Sequence, residues 1–265
     1  MSDSTPDAMV IQASGFGPAM TARQSIERAK KIMLDLEAIS PWRRPFKVSG
    51  RTEETDNMPI AEDLADFDEV VMRALQSYDD VRYQNENDAS NWRLTPDSHS
   101  PYGFRETFSD IHTGEGFWDS VTVSLHSAGE ETSGSCDDSV YVVAIPFYAR
   151  DQINAAWSEP ATVQRIFDYF IDSYDPMKCV VFGSDQALAL SKQGDRYVGS
   201  YTLGWLNYTK NAEVAGVFRK TGKAVPYRRG TLLKLGDDAS ALSDPKVEAE
   251  LAGIGEMLRA AGVKR

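Results

Sequence analysis

The sequence has few cysteines and histidines, and it lacks the common motifs of enzymes and metal sites. Its two cysteines, Cys136 and Cys179, are too few for a disulfide framework, and neither belongs to a CxxC pair. Its 3 histidines do not pair with one another or with a cysteine at the spacing of a metal site. No HExxH, GxSxG or phosphate-loop lysine motif occurs. We therefore predict no catalytic residues, no cofactor and no metal site, and a reducing compartment.

Targeting segments and long apolar runs are also missing. The N-terminal stretch MSDSTPDAMVIQASGFG has no basic start and no continuous apolar run, so it does not look like a signal peptide. No segment reaches the roughly 18 consecutive apolar residues that a membrane span needs. We expect a cytoplasmic protein with no membrane partner.

Positive charge is scarce in the middle of the chain. Residues 51–150 contain 21 Asp and Glu, 6 Arg and no Lys, in a chain whose formal net charge is −12. Such a region repels nucleic acid, which binds to basic patches. It attracts a basic protein partner and speeds its approach, although solubility is the simpler interpretation of charge alone.

Hydrophobic periodicity predicts an α+β fold with a central, mainly antiparallel sheet flanked by helices. A helix over 21–39 begins with a capping box of Thr21 and Gln24. The strands cluster in the middle of the chain instead of alternating strictly with helices. We predict a flexible N-terminus over 1–19 and a single α+β domain over 20–265. Further predicted helices cover 162–174 and 245–261, and predicted strands cover 42–48 (an edge strand), 102–111, 121–125, 140–148 and 179–183. The segment 225–236 is predicted to be a late strand or a hairpin.

A second predicted helix, over 59–77, is the candidate binding surface. Glu62, Asp66 and Glu69 fall together on its polar face, and Asp63 flanks them. The face is either simply solvated or a contact surface for a basic partner. These four acids are the candidate partner-binding residues.

The stretch VGSYTLGWLNYTKN, residues 198–211, concentrates aromatic residues. Gly204 directly precedes Trp205, and Tyr208 follows three residues later. A tryptophan buries a large area and needs a partner for its indole N–H, and the preceding glycine indicates close backbone packing or a turn. Core packing is the favoured interpretation; direct partner contact and a small-ligand pocket are the alternatives.

The segment GWLNYT, preceded by YVGSYTL, resembles the Gly-Trp-(apolar)-x-Tyr signature of the immunity protein 52 family. This family belongs to bacterial polymorphic-toxin systems, of the contact-dependent and type VI secretion kinds. ARQSIERAKKIMLDLEAISP, MPIAEDLADFDEVVMRAL, GEGFWDSVTVSL and TVQRIFDYFIDSYDP agree with the family in order, over roughly residues 20 to 235.

The resemblance implies a non-enzymatic protein that binds and neutralises a cognate toxin, often a nuclease whose substrate cleft is basic. It supplies no catalytic residues. Gly204, Trp205 and Tyr208 carry over only as motif positions. Two alternatives stay open: an enzyme of unknown class with a carboxylate site within 106–138, and an adaptor without inhibitory action.

Overall fold

The computed structural model describes residues 8–15, 17–42, 44–83, 94–100, 103–110, 120–128, 140–146, 152–183 and 202–263. The chain divides into two compact units. Unit 1 consists of Met1–Gly15 and Ala144–Arg265, and unit 2 of Phe16–Val143. The single domain predicted over 20–265 stays a prediction. None of the described helices is long and apolar enough to cross a membrane.

Six α-helices and ten strands occur in these described residues, and every strand pair with a described register is antiparallel. This confirms the predicted α+β class. The strands are β1 (Ala8–Ser14), β2 (Lys47–Ser49), β3 (Met58–Pro59), β4 (Arg105–Ser109), β5 (Thr122–His126), β6 (Val140–Pro146), β7 (Lys178–Gly183), β8 (Leu206–Thr209), β9 (Ala224–Tyr227) and β10 (Gly230–Lys234). The helices are α1 (Ala22–Ile39), α2 (Phe67–Tyr83), α3 (Gln152–Trp157), α4 (Pro160–Tyr174), α5 (Ala212–Lys220) and α6 (Pro245–Ala260), with a 3-10 turn at Ala239–Ser243.

Unit 2 is built on the strand order β3-β2-β4-β5-β6. α1 begins with the predicted capping box, since Thr21 and Gln24 each bond the other's backbone N–H. α1 and α2 pack together, and α2 also packs on β2 and β4. Phe67 of α2 stacks on Phe108 of β4 with ring centroids 5.7 Å apart, and both side chains are fully buried. Apolar residues at alternate strand positions therefore form the core beneath the two helices.

Unit 1 has the strand order β1-β7-β8-β10-β9. β7 is buried along its whole length, as the continuous apolar run CVVFG predicts for an interior strand. α4 packs on β1 and β7, and its predicted inward residues Val163, Ile166 and Phe170 are all fully buried. α5 packs on β8, β9 and β10 and is capped by the side chain of Asn211.

Two features differ from the sequence-based prediction. Residues 8–14 form β1, with Met9, Ile11 and Ala13 fully buried, so this part of the predicted flexible N-terminus is ordered. Its partner β7 lies far along the chain, and a local pattern does not reveal such pairing. β2 is not an edge strand, because β3 pairs with its outer side.

The outermost described strands each contain a proline. Pro59 lies in β3, and Pro226 lies in β9. A proline has no backbone N–H to offer a further strand, which is why sheets tolerate it at their edges.

Candidate functional site

The predicted acidic helix begins later than its sequence pattern indicates. Pro59 pairs with Lys47 as part of β3, and α2 starts only at Phe67. Leu64 adopts a left-handed backbone conformation with φ 59°, which interrupts any helix through this point. The prediction that Glu62, Asp66 and Glu69 share one helical face is therefore wrong.

Hydrogen bonds fix the turn that replaces the first part of the predicted helix. The Asp66 carboxylate accepts a bond from the backbone N–H of Ala61 at 2.8 Å, and that of Asp63 accepts from Ala65 at 3.0 Å. Acidic side chains that bond nearby backbone N–H groups stabilise turns at the expense of helix. Both carboxylates bond backbone of the turn, but Asp66 is half-buried, whereas Asp63 and the neighbouring Glu62 are exposed.

The acids left facing solvent form a surface that we call the acidic turn, comprising Glu62, Asp63, Asp68 and Glu69. Sequence analysis missed Asp68, which lies in the first turn of α2 beside Glu69. Its carboxylate is 3.7 Å from the ammonium of Lys30, and 71 % of its side chain is exposed. Acids in the first turn complement the positive end of the helix dipole, so these two stabilise α2 while facing solvent.

Two basic side chains of unit 2 form hydrogen bonds with the backbone of the acidic turn. Arg44 donates to both carboxylate oxygens of Glu37 and to the backbone carbonyl of Glu62. Lys30 donates to the backbone carbonyl of Leu64. Arg44 and Lys30 thus bind backbone carbonyls of the turn, Lys30 also pairs with Asp68, and Glu62, Asp63 and Glu69 remain exposed on a fixed backbone.

The glycine of the aromatic motif has a steric role in unit 1. A Cβ at Gly204 would lie 2.0 Å from the carbonyl oxygen of Val181 and 2.7 Å from Cβ of Phe182. The close approach allows the backbone N–H of Trp205 to bond Val181 at 2.7 Å. Any side chain at this position would push β8 away from β7.

Trp205 is a core residue, as the favoured interpretation predicts. Its side chain is 2 % exposed, and its indole N–H donates to the carbonyl of Gly236 at 3.2 Å. Asn207, which the motif leaves unspecified, bonds both the N–H and the C=O of Gly204 at 2.8 and 2.6 Å. Its amide also donates to Leu233 of β10, so one buried side chain fixes the start of β8.

Tyr208 is the third motif residue, and it is 1 % exposed. Its hydroxyl is buried without a hydrogen-bond partner among the described residues. Burial, followed by the negative charge of Asp175, raises the pKa of the phenol. The tyrosine contributes ring packing here, and a Cβ at Gly230 would come within 2.7 Å of that ring.

Ion pairs join α4 to the β9–β10 turn beside this core. Arg228 binds Asp172 through two bonds of 2.8 and 3.0 Å, and Arg229 lies 3.3 Å from Asp175. Arg228 adopts a left-handed backbone conformation with φ 50°, which is unfavourable for residues that have a Cβ.

Glu106 is a buried acid that sequence analysis placed only within a broad region. It is 1 % exposed, and it accepts a 2.6 Å hydrogen bond from the hydroxyl of Ser25. Burial raises the pKa of its carboxyl to about 7, against the smaller lowering effects of Ser25 and of the Arg28 charge. Period-2 alternation with Phe108 was the available signal, because it places Glu106 on the apolar face of β4.

The cavity beside Glu106 is too small for a substrate. It has a volume of about 10 Å³ and is lined by Ser25, Arg28, Ala29, Glu106, Leu125 and Ser127. Acids of the 106–138 region that fall in 111–119 and 129–138 lie outside the described residues. Within the described part of the chain, no three His, Cys, Asp or Glu side chains cluster closely enough to hold a metal ion.

Comparisons with known proteins give a distant structural likeness. No protein-family model matches the chain, and no curated protein matches it. Among solved structures, the chain is similar to the Pseudomonas aeruginosa T6SS protein PA0821, with a TM-score of 0.46 and 11 % sequence identity. The likeness covers 87 % of this chain and 66 % of that protein, so the chain spans just under two thirds of its length. The likeness to the immunity protein 52 family stays a resemblance.

Proposed function

We propose that this protein is an immunity protein that binds and neutralises a cognate bacterial toxin by forming a stoichiometric complex. The partner is a basic toxin domain of the nuclease type, as the resemblance of the GWLNYT motif to immunity protein 52 implies. The protein acts in the cytoplasm, catalyses no reaction and uses no cofactor or metal.

The observation that carries this proposal is the concentration of acidic charge. Unit 2 contains 24 Asp and Glu and 12 Lys and Arg, so its net charge is −12. This is the net charge of the whole chain. A nuclease that binds phosphates presents a positive cleft, and a negative surface can cover that cleft. Opposite potentials accelerate encounter and hold the complex in register.

The acidic turn is the best described part of this proposed surface. Its exposed carboxylates, Glu62, Asp63, Asp68 and Glu69, project from backbone already fixed by Arg44, Lys30 and Asp66. A fixed surface loses little conformational entropy on binding, which favours affinity. The buried motif residues act differently, since Trp205 and Tyr208 support the fold and do not face a partner.

The enzyme alternative has a less suitable candidate in the described residues. Glu106 is the acid whose pKa is raised to about 7, in the range of a general acid or base. A catalytic group must lie within hydrogen-bond reach of its substrate, and the cavity beside Glu106 has room for about one water molecule.

Co-expression with the toxin encoded beside this protein tests the function. We expect growth to be rescued, and toxin activity in vitro to fall in proportion to added protein until the two are equimolar. Neutralisation that is substoichiometric, increases with time or disappears with a chelator would contradict a binding mechanism.

The acidic turn is tested by a charge-matched pair of variants. The test variant carries Glu62→Gln, Asp63→Asn, Asp68→Asn and Glu69→Gln. The control carries Glu159→Gln, Asp237→Asn, Glu248→Gln and Glu256→Gln, all exposed positions of unit 1. We expect the test variant to associate with the toxin about tenfold more slowly at low salt, and the control to remain close to the parent. Equal slowing of both variants would exclude the acidic turn as the contact surface.

A further inference from the structure

We propose that Leu34 is the apolar centre of the surface that contacts the toxin, and that the acidic turn forms the charged rim beside it. The partner surface that fits is an apolar side chain of the basic toxin domain, flanked by lysine or arginine. This assignment rests on the proposed function and names the part of unit 2 that the toxin meets.

Among the described residues of unit 2, Leu34 is the one large apolar side chain classed as exposed. It is 41 % exposed, whereas its α1 neighbours Met33 and Leu36 are fully buried. The other exposed large apolar residue in the described chain, Val225, lies in unit 1. A single exposed leucine is common on protein surfaces, so its significance depends on what surrounds it.

Leu34 shares one face of α1 with two side chains that attach the acidic turn. Lys30 precedes it by four residues and Glu37 follows it by three, which is the spacing of neighbours on a helix surface. The ammonium of Lys30 donates to the backbone carbonyl of Leu64 at 3.5 Å. This bond attaches the turn to α1 on the N-terminal side of Leu34.

The second attachment lies on the C-terminal side of Leu34. Glu37 accepts two hydrogen bonds from Arg44, and Arg44 donates to the backbone carbonyl of Glu62. The segment 62–64 is therefore held at both ends beside α1, with Leu34 between the two points of attachment. The exposed carboxylates of the turn and the exposed leucine consequently belong to one surface.

The charge around Leu34 is negative even when every neighbouring cation is counted. Residues 30–38 of α1 contain 2 Lys and 3 Asp or Glu, Arg44 adds one positive charge, and the acidic turn adds four negative ones. The net charge of this surface is thus about −4. Each cation already lies opposite an acid, since Lys30 is 3.7 Å from Asp68, Lys31 is 2.5 Å from Asp35, and Arg44 binds Glu37.

An apolar centre with a charged rim is the usual arrangement of a protein interface. The negative rim favours approach of a basic partner and therefore acts mainly on the association rate. The apolar centre is buried only once the complex has formed, so it acts mainly on the dissociation rate. The two attachments hold both parts in place before binding, which reduces the entropy lost in the complex.

Binding kinetics of the full chain with the toxin encoded beside it test this assignment. We compare the parent with Leu34→Ala and with Val225→Ala, which truncates the exposed apolar residue of unit 1. Leu34→Ala should raise the dissociation rate about tenfold and leave the association rate within about twofold of the parent. Val225→Ala should match the parent in both rates. Alanine is the best helix former, so Leu34→Ala should fold like the parent, which thermal denaturation checks.

Hydrogen exchange of the parent with and without toxin provides a second measurement that needs no variant. Amides of residues 30–38 and 61–69 should exchange more slowly in the complex. If these amides are unaffected, or if Leu34→Ala dissociates like the parent while neutralisation persists, Leu34 is not the centre of the contact and the proposed function stands. A parent that neither binds nor neutralises the toxin would overturn both.

Discussion

Unit 1 and unit 2 are similar in length but differ in where they place charge. Unit 1 has 16 acidic and 16 basic residues, and it pairs Asp172 with Arg228 and Asp175 with Arg229 and Lys210. Unit 2 has twice as many acids as bases, with Glu62 and Glu69 exposed and in no ion pair among the described residues. Charge in unit 1 thus joins structural elements, whereas in unit 2 much of it remains available to a partner.

The two units also differ in whether the buried groups of interest can carry a charge. The motif of unit 1 is uncharged and depends on close steric fit, from Gly204 through Trp205 to Tyr208. The core of unit 2 contains a titratable group, Glu106. Unit 1 should therefore respond most to changes of shape, and unit 2 to changes of charge and pH.

The largest expected effect is that of Trp205→Ala in unit 1. Removing a fully buried tryptophan side chain leaves a cavity and should lower the free energy of unfolding by about 3–5 kcal/mol. Trp205→Phe, which retains an aromatic ring, should cost less. Chemical denaturation measures both effects. If the alanine variant kept its stability and lost toxin binding, Trp205 would be a contact residue. The distinction between a structural motif in unit 1 and a binding surface in unit 2 would then be wrong.

Raising the pH should lower the stability of unit 2 relative to unit 1, and this effect should be slightly smaller than that of Trp205→Ala. The pKa of Glu106 is about 7 in the fold and near 4.5 in the unfolded chain, so its stabilising effect is complete below about pH 4.5 and is lost as the pH rises through 7. Between pH 5 and pH 8, ionisation of Glu106 should lower the free energy of opening in unit 2 by about 2.5 kcal/mol. Residue-resolved hydrogen exchange reads the two units separately in one sample. An equal pH dependence in β7 and β8 of unit 1 would show that the effect does not originate at Glu106.

Gly204→Ala should lower the free energy of unfolding by about 1–3 kcal/mol, because its methyl group meets the Val181 carbonyl oxygen. Gly216→Ala is the matched control, since nothing lies within 4 Å of its added Cβ and it sits in α5. Alanine is a better helix former than glycine, so the control should gain up to about 1 kcal/mol. Thermal denaturation compares the two. Equal losses would rule out the steric explanation.

The smallest expected effect is that of Tyr208→Phe. The hydroxyl is buried without a described partner, so its removal should change the free energy of unfolding by less than about 1 kcal/mol, toward greater stability. Tyr208→Leu provides the contrast, because it also removes the ring. A loss above 2 kcal/mol for Tyr208→Phe would mean that the hydroxyl has a stabilising partner.

Local patterns in the sequence predicted several elements well. α1, α4 and α6 combine an apolar stripe with clear start signals, such as the capping box at Thr21 and the proline at Pro245. The start of α2 was not predictable in this way. The spacing of the acidic residues is the same whether Asp66 faces solvent on a helix or accepts a hydrogen bond from Ala61 in a turn. Only the folded structure shows that it bonds Ala61.

Long-range contacts account for what the sequence could not reveal about the candidate sites. The burial of Glu106 requires Ser25 and Ser127, which are 81 residues before it and 21 after it. The need for glycine at 204 comes from Val181 of a neighbouring strand. The aromatic motif was correctly assigned to the core, while Asn207, which holds its backbone together, has no distinguishing local pattern.

The prolines at the outer strands have a consequence for the protein at high concentration. Under the proposed one-to-one inhibition, the protein would have to be present in excess of its target, so its copies would meet one another often. Growth of a fibril by stacking copies edge to edge requires free N–H groups along the terminal strand. Pro59 interrupts that row in β3 and Pro226 in β9. Pro59 and Pro226 therefore make the two outer described strands poor templates for edge-to-edge stacking of copies.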